Sequence, residues 1–173
     1  MAAAQISDDE LQRLERGRFV ELLGGVFEHS SWVAERAFAA GPFHNVEALH
    51  RAMVEVMRRA SRARQVALIR AHPDLAGRAA IRGELTAASS AEQAGAGLDQ
   101  CTRVEFERFH ELNQRYQKRF GFPFILAVKG KSRGEILAAF EERLDNSVEA
   151  EFEEALGQIA RIARFRLDDL IRS

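Results

Sequence analysis

Cysteine is almost missing from this sequence. Cys101 is the single cysteine in 173 residues, which excludes an internal disulfide framework and a thiolate-based zinc cluster. Three prolines and 12 glycines leave little room for a long disordered segment. Charge of one sign is missing too. The 25 basic and 26 acidic side chains leave a formal net charge of −1, so no global field draws the chain to nucleic acid or an anionic membrane. The longest apolar run, Phe122–Val128, falls far short of the ~20 residues that span a bilayer. The opening MAAAQISDDE is acidic and lacks the basic-then-apolar pattern of a secretory signal. Lysine is scarce, at Lys118, Lys129 and Lys131 alone, so arginine is the default cation and a single arginine needs positional support before it is read as functional. No tandem repeat, charge block or linker divides the chain.

What remains is 46% hydrophobic, enough for a real core at this length. The expectation is one cytoplasmic globular domain over residues 1–173, with no nucleic-acid or membrane partner. The pattern predicts an all-α, compact multi-helix bundle. Ser7 with Glu10 reads as a capping box opening a helix through Leu14. Phe19–Phe27 and Trp32–Ala40 read as two short helices, with a break at Gly41-Pro42. Asn45 can cap Val46–Ala60, where Leu49, Met53, Val56 and Met57 share a face. Ser61 can cap a helix through Arg70 that His72-Pro73 closes. A loop-rich stretch, Arg82 to Ala88, follows. Thr102–Phe120 is amphipathic and stops at Gly121. Ser132 with Glu135 opens a helix to Leu144, and Asn146-Ser147 starts Val148–Ile171. Phe122–Val128 is the one candidate strand. With no second strand to pair with, it reads as an extended buried segment.

Three places depart from a plain bundle. In Ala71-His72-Pro73-Asp74, the proline biases His72 out of the helical region, and Pro73 can open the next turn. A histidine there can project into a cleft for proton transfer, or be an ordinary loop residue. Ser89 and Glu92 have capping-box spacing, yet the small residues around them also let other groups approach the backbone. Free amides at a helix start can hold an anion or carbonyl oxygen, and a carboxylate there can orient a histidine. Arg166 falls on the apolar stripe Val148, Phe152, Leu156, Ile159, Ala163 and Leu170 of the last helix. It either snorkels to the edge or turns its planar fork onto a polar group. Of the other histidines, His29 lies in a polar turn and His110 on a polar helix face. His44, Glu47 and His50 come nearest to a metal set, without HExxH spacing.

Three ordered motifs carry a resemblance. His72-Pro73-Asp74-Leu75-Ala76-Gly77, then Ser89-x-x-Glu92-Gln93-x-x-Ala96-Gly97-Leu98, then Phe120-Gly121-Phe122-Pro123-Phe124-Ile125 with Lys129-Gly130 resemble the OHCU decarboxylase family. Phe19, Trp32 and Arg166-Leu167 extend the similarity over nearly the whole chain. The resemblance implies an all-α, cofactor-free, homodimeric enzyme of urate breakdown. Its small-molecule substrate would be 2-oxo-4-hydroxy-4-carboxy-5-ureidoimidazoline (OHCU), converted to (S)-allantoin. It implies His72 as the catalytic histidine, Glu92 as its supporting carboxylate and Arg166 as the substrate-binding arginine. It also implies substrate contacts at Pro73, at Ser89, Ser90, Ala91, Glu92 and Gln93, and at Phe124, Ile125, Leu126, Ala127 and Val128. No metal is implied. The chain ends Ile171-Arg172-Ser173, without the peroxisomal address of some relatives, and leaves no room for a fused transthyretin-like domain. Both fit a stand-alone bacterial-type enzyme. Two alternatives to catalysis are a non-catalytic all-α binding module for a ureide or purine-like ligand, and a helical interaction protein in which these motifs are only caps.

Overall fold

The structure, a computed structural model, describes residues 5–173. The fold is all-α. The helices are α1 (Asp8–Gln12), α2 (Arg16–Leu23), α3 (Trp32–Ala37), α4 (Val46–Arg59), α5 (Arg62–Arg70), α6 (Arg78–Ile81), α7 (Ala87–Gly95), α8 (Arg103–Phe120), α9 (Arg133–Arg143) and α10 (Val148–Leu170). Two compact units result. One comprises the chain up to Ala71 together with Ala160–Ser173, and the other comprises His72–Ile159.

In the first unit the helix starts follow local chemistry. Ser7 Oγ accepts from the Glu10 amide at 3.2 Å, and Glu10 accepts from the Ser7 amide at 2.7 Å. Asn45 Oδ1 caps Ala48 at 2.8 Å, and Ser61 Oγ caps Arg64 at 3.3 Å. Each such cap contributes about 1 kcal/mol. The face of α4 meets expectation at Leu49, Met53 and Met57, which are buried, whereas Val56 is only half-buried. α2 differs from the expected Phe19–Phe27. It starts at Arg16 and ends at Leu23, because Gly24-Gly25 follows and the chain turns there. Phe19 packs its ring edge on Phe38 at 5.2 Å and stacks on Phe43 at 6.1 Å. Strands were not expected here. Yet β1 (Ile6–Ser7) pairs in parallel with β2 (Ile171–Arg172), so α10 ends one residue earlier than its pattern suggested.

In the second unit, the Thr102–Glu105 capping box opens α8, and Gly121 at φ +77° closes it in the left-handed region. Phe122–Val128 then runs extended and buried, as its sequence suggested. Burying a side chain the size of Phe122 or Phe124 is worth about 1.5–3 kcal/mol, which offsets the loss of helical hydrogen bonds. Phe124 stacks face to face on Phe140 of α9, with centroids 3.9 Å apart and planes 9° off parallel. Tyr116 of α8 packs edge-on against both rings, at 5.4 and 5.8 Å, and Phe109 and Leu112 of the same helix are fully buried, while Phe106 is only half-buried. On α10, Phe152, Leu156 and Ile159 are buried as the stripe predicts, but Val148 is 46% exposed because it lies in the first turn.

Three local expectations need correction. Pro73 opens no helix; the next one, α6, begins at Arg78. The stretch Arg82–Ala88 is not all loop, since α7 already starts at Ala87. Ser89 is not an N-cap. Thr86, one turn earlier, accepts from the Ser89 amide at 3.2 Å and takes that role. A hydroxyl with extended backbone just before the helix caps better than one already inside it.

Candidate active site

His72 is a buried imidazole, 8% exposed, directly after the helix end at Ala71. The loop that follows is held at three consecutive residues. Gln93 of α7 donates through Nε2 to the Asp74 carbonyl at 3.1 Å and accepts through Oε1 from the Ala76 amide at 3.0 Å. Asn113 of α8 donates through Nδ2 to the Leu75 carbonyl at 2.9 Å. These bonds hold Ala76 at φ +50°, a left-handed conformation that costs a non-glycine residue on the order of 1–3 kcal/mol. Gly77 is also constrained, because an added Cβ would lie 2.7 Å from Asp74 Cβ. The motif containing His72 and the motif containing Glu92 are therefore joined through Gln93. On α7, Ser89 and Gln93 are buried on one face, Glu92 is half-buried, and Ser90 and Ala91 are exposed. Pro73 is half-buried. The helix-start amides lie at Ala87 and Ala88, ahead of the Ser89–Gln93 stretch that sequence reasoning favoured.

Phe124, Ile125, Leu126, Ala127 and Val128 are all buried. Their backbone is tied down by polar side chains that sequence reasoning missed. Arg143 Nη1 donates to the Ile125 carbonyl at 2.5 Å, and Gln158 Oε1 accepts from the Ala127 amide at 3.0 Å. Arg143 also grips Glu151 through Nε and Nη2, at 3.0 and 2.8 Å, and lies 4.4 Å over the Phe124 ring. Tyr116 donates its hydroxyl proton to Glu151, and Asn146 donates to it at 2.9 Å. Burial pushes the Glu151 carboxyl up, but the hydrogen bonds from Arg143, Tyr116 and Asn146 outweigh it and hold the group below the usual carboxylate range. Burial drives the Tyr116 phenol upward, so it stays a proton donor. The available signal was weak: Arg143 and Glu151 flank one short helix connection, and two opposite charges amid apolar residues there invite a buried pair.

Arg166 belongs to the first unit and does not snorkel. It is 6% exposed. Its Nη1 lies 2.8 Å from Glu28 Oε2 and donates to the carbonyls of Gly25 at 3.3 Å and Val26 at 3.5 Å. The planar fork thus meets a carboxylate of this same chain, one that sequence reasoning did not single out. His44, Glu47 and His50 do not gather. His44 bonds Gln12, Glu47 pairs with Arg51, and His50 contacts the Ala160 carbonyl. Among the described residues no cluster of His, Cys, Asp and Glu could hold a metal ion.

The model of the OHCU decarboxylase family aligns with residues 12–168. This chain belongs to that family. It is 44% identical over 169 residues to the 2-oxo-4-hydroxy-4-carboxy-5-ureidoimidazoline decarboxylase of Haloferax volcanii, covering 98% of each chain. It is also 44% identical to the uric acid degradation bifunctional protein PucL of Bacillus subtilis, where it covers 94% of this chain and 32% of that one. Among solved structures, an (S)-allantoin synthase superposes with a TM-score of 0.78 at 30% identity. That match spans 96% of this chain and 54% of the other.

Proposed function

We propose that this OHCU decarboxylase family member removes CO2 from 2-oxo-4-hydroxy-4-carboxy-5-ureidoimidazoline and forms (S)-allantoin within urate degradation. The observation that carries the reading is the 44% identity to the Haloferax volcanii decarboxylase over 98% of both chains. The Gln93 clamp between the His72 loop and the Glu92 helix supports it. Because the family match runs through both units, residues 1–173 are read as one functional domain.

The substrate provides its own electron sink. Its carboxylate sits on a ring carbon beside a C=N bond. When the carbon–carboxylate bond breaks, CO2 leaves, its electron pair forms a C=C bond to the neighbouring carbon, and the C=N pair moves onto the ring nitrogen, which takes up a proton from solvent, giving a neutral enol. The enol hydroxyl then loses a proton while the neighbouring carbon, which holds the ureido group, gains one on a single face. In this reading His72 manages the proton, as a positioned imidazole suits. Glu92 sets its orientation or charge. Arg166 holds polar substrate atoms. Pro73, Ser89–Gln93 and the backbone of Phe124–Val128 contact the ring carbonyl and ureido groups. The same reading makes the protein a cytoplasmic homodimer that needs no metal or organic cofactor.

Urate is oxidised and ring-opened enzymatically, the protein is added, and circular dichroism is followed. Optically active allantoin forming faster than the unassisted reaction is the expected result. Racemic allantoin at the unassisted rate would overturn the reading and leave a ureide-binding module instead. Undiminished activity after chelator dialysis, and a dimer by light scattering, check the remaining parts.

A further inference from the structure

The turn after α2 delivers a buried carboxylate that the proposed chemistry does not use. Glu28 is 2% exposed, and its Oε2 lies 2.8 Å from Arg166 Nη1, with side-chain exposures of 1% and 7%. The turn is shaped around this contact. Gly25 and Val26 present carbonyls to the same Nη1. Ser30 Oγ donates to the Glu28 carbonyl at 2.8 Å. His29 adopts φ +47°, with its Nε2 3.9 Å from Glu28 Oε1. Val26 and Phe27 bury their side chains alongside. A buried charge pair on this scale is expensive to desolvate, so its presence calls for a reason beyond stability.

We propose that Glu28 is a positioning residue that also sets the charge of Arg166; this rests on reading Arg166 as the substrate-binding arginine. In decarboxylation, negative charge leaves the carboxylate and spreads into the ring. A bare guanidinium on that carboxylate would stabilise the starting state more than the transition state. Neutralised by Glu28, Arg166 still offers N–H donors to carbonyl and ureido oxygens but attracts a departing carboxylate weakly. The pair therefore selects neutral acceptors over anions.

Wild type, Glu28→Gln and Glu28→Asp are compared for kcat and KM. They are also compared for binding of two probes by calorimetry: allantoin, which is neutral, and allantoate, its ring-opened carboxylate. Wild type should favour allantoin. Glu28→Gln should lower both kcat and KM, with kcat down by about tenfold or more, and shift preference toward allantoate. Glu28→Asp keeps the charge on a shorter arm. It should keep the neutral preference while losing about tenfold in kcat/KM. Unchanged kcat, KM and probe preference in Glu28→Gln would overturn the proposal. So would wild type binding allantoate as tightly as allantoin, a result that stands even if the Gln variant fails to fold. Absence of turnover in wild type would overturn the proposed function instead, while the probe preferences still decide the role of Glu28.

Discussion

The loop after His72 is clamped at Asp74, Leu75 and Ala76, which suits the proton-transfer role proposed for this imidazole. For His72→Asn, which keeps much of the shape, turnover should fall by ~10²–10⁴ while the melting temperature stays close to wild type. Paired rate and thermal measurements check this, and wild-type turnover would remove His72 from the proton step. Arg166→Lys behaves differently. Lysine keeps the charge but lacks the rigid fork that reaches Glu28 and the Gly25 and Val26 carbonyls. Stability should drop by about 1–3 kcal/mol and kcat/KM should fall as well, measured on one preparation. An unaltered melting curve would contradict the buried pair. His72 and Arg166 were both legible as rule-breakers: one precedes proline, the other interrupts an apolar stripe. Glu28 was not, because its partner lies far along the chain and no local pattern links them.

Helix boundaries were legible where one side chain decides them. Ser7, Asn45, Ser61 and Ser132 all cap as read, since the cap and its amide lie within three residues. Ser89 misled for the same reason. Its spacing to Glu92 is correct, but Thr86 offered the chain an earlier start, and only the folded backbone reveals which hydroxyl wins. The extended run Phe122–Val128 was legible as an unbroken apolar stretch with no second strand to pair with. The polar groups that hold it, on α9 and α10, were not. The loop of residues 72–77 gives a prediction at this scale. Gln93→Leu removes both of its bonds and strands the buried Ala76 amide, at a cost of about 1–3 kcal/mol, while the part-buried Asp74 carbonyl loses its donor. Hydrogen exchange at the Ala76 amide should accelerate, and kcat should fall more than KM rises. Unchanged exchange there would show that Gln93 does not hold the loop.

For the molecule as a whole, the all-α class was legible from periodicity, whereas the division into two units was not. Contacts that define a unit join residues remote in sequence, and composition does not report them. Acid stability is a property at this scale. Glu151 has a folded pKa below its ordinary value of 4.5, so its contribution is present above that value and lost as pH falls through the folded one. Glu151→Gln leaves Arg143 buried without its counter-charge. It should lower neutral-pH stability by about 3–5 kcal/mol and flatten the acid branch of the stability profile, as denaturant melts across pH would report. A variant with the wild-type acid branch would show that other carboxylates govern it.

The parallel pairing of Ile6 with Ile171 brings the start and the finish of the described chain side by side. Any polypeptide attached before or after this fold is thereby launched from the same spot. A fused neighbour would pivot about one tether point whichever end bears it, and exchanging the order of two fused modules would alter their spacing little. The joining segment alone would set how far such a neighbour ranges.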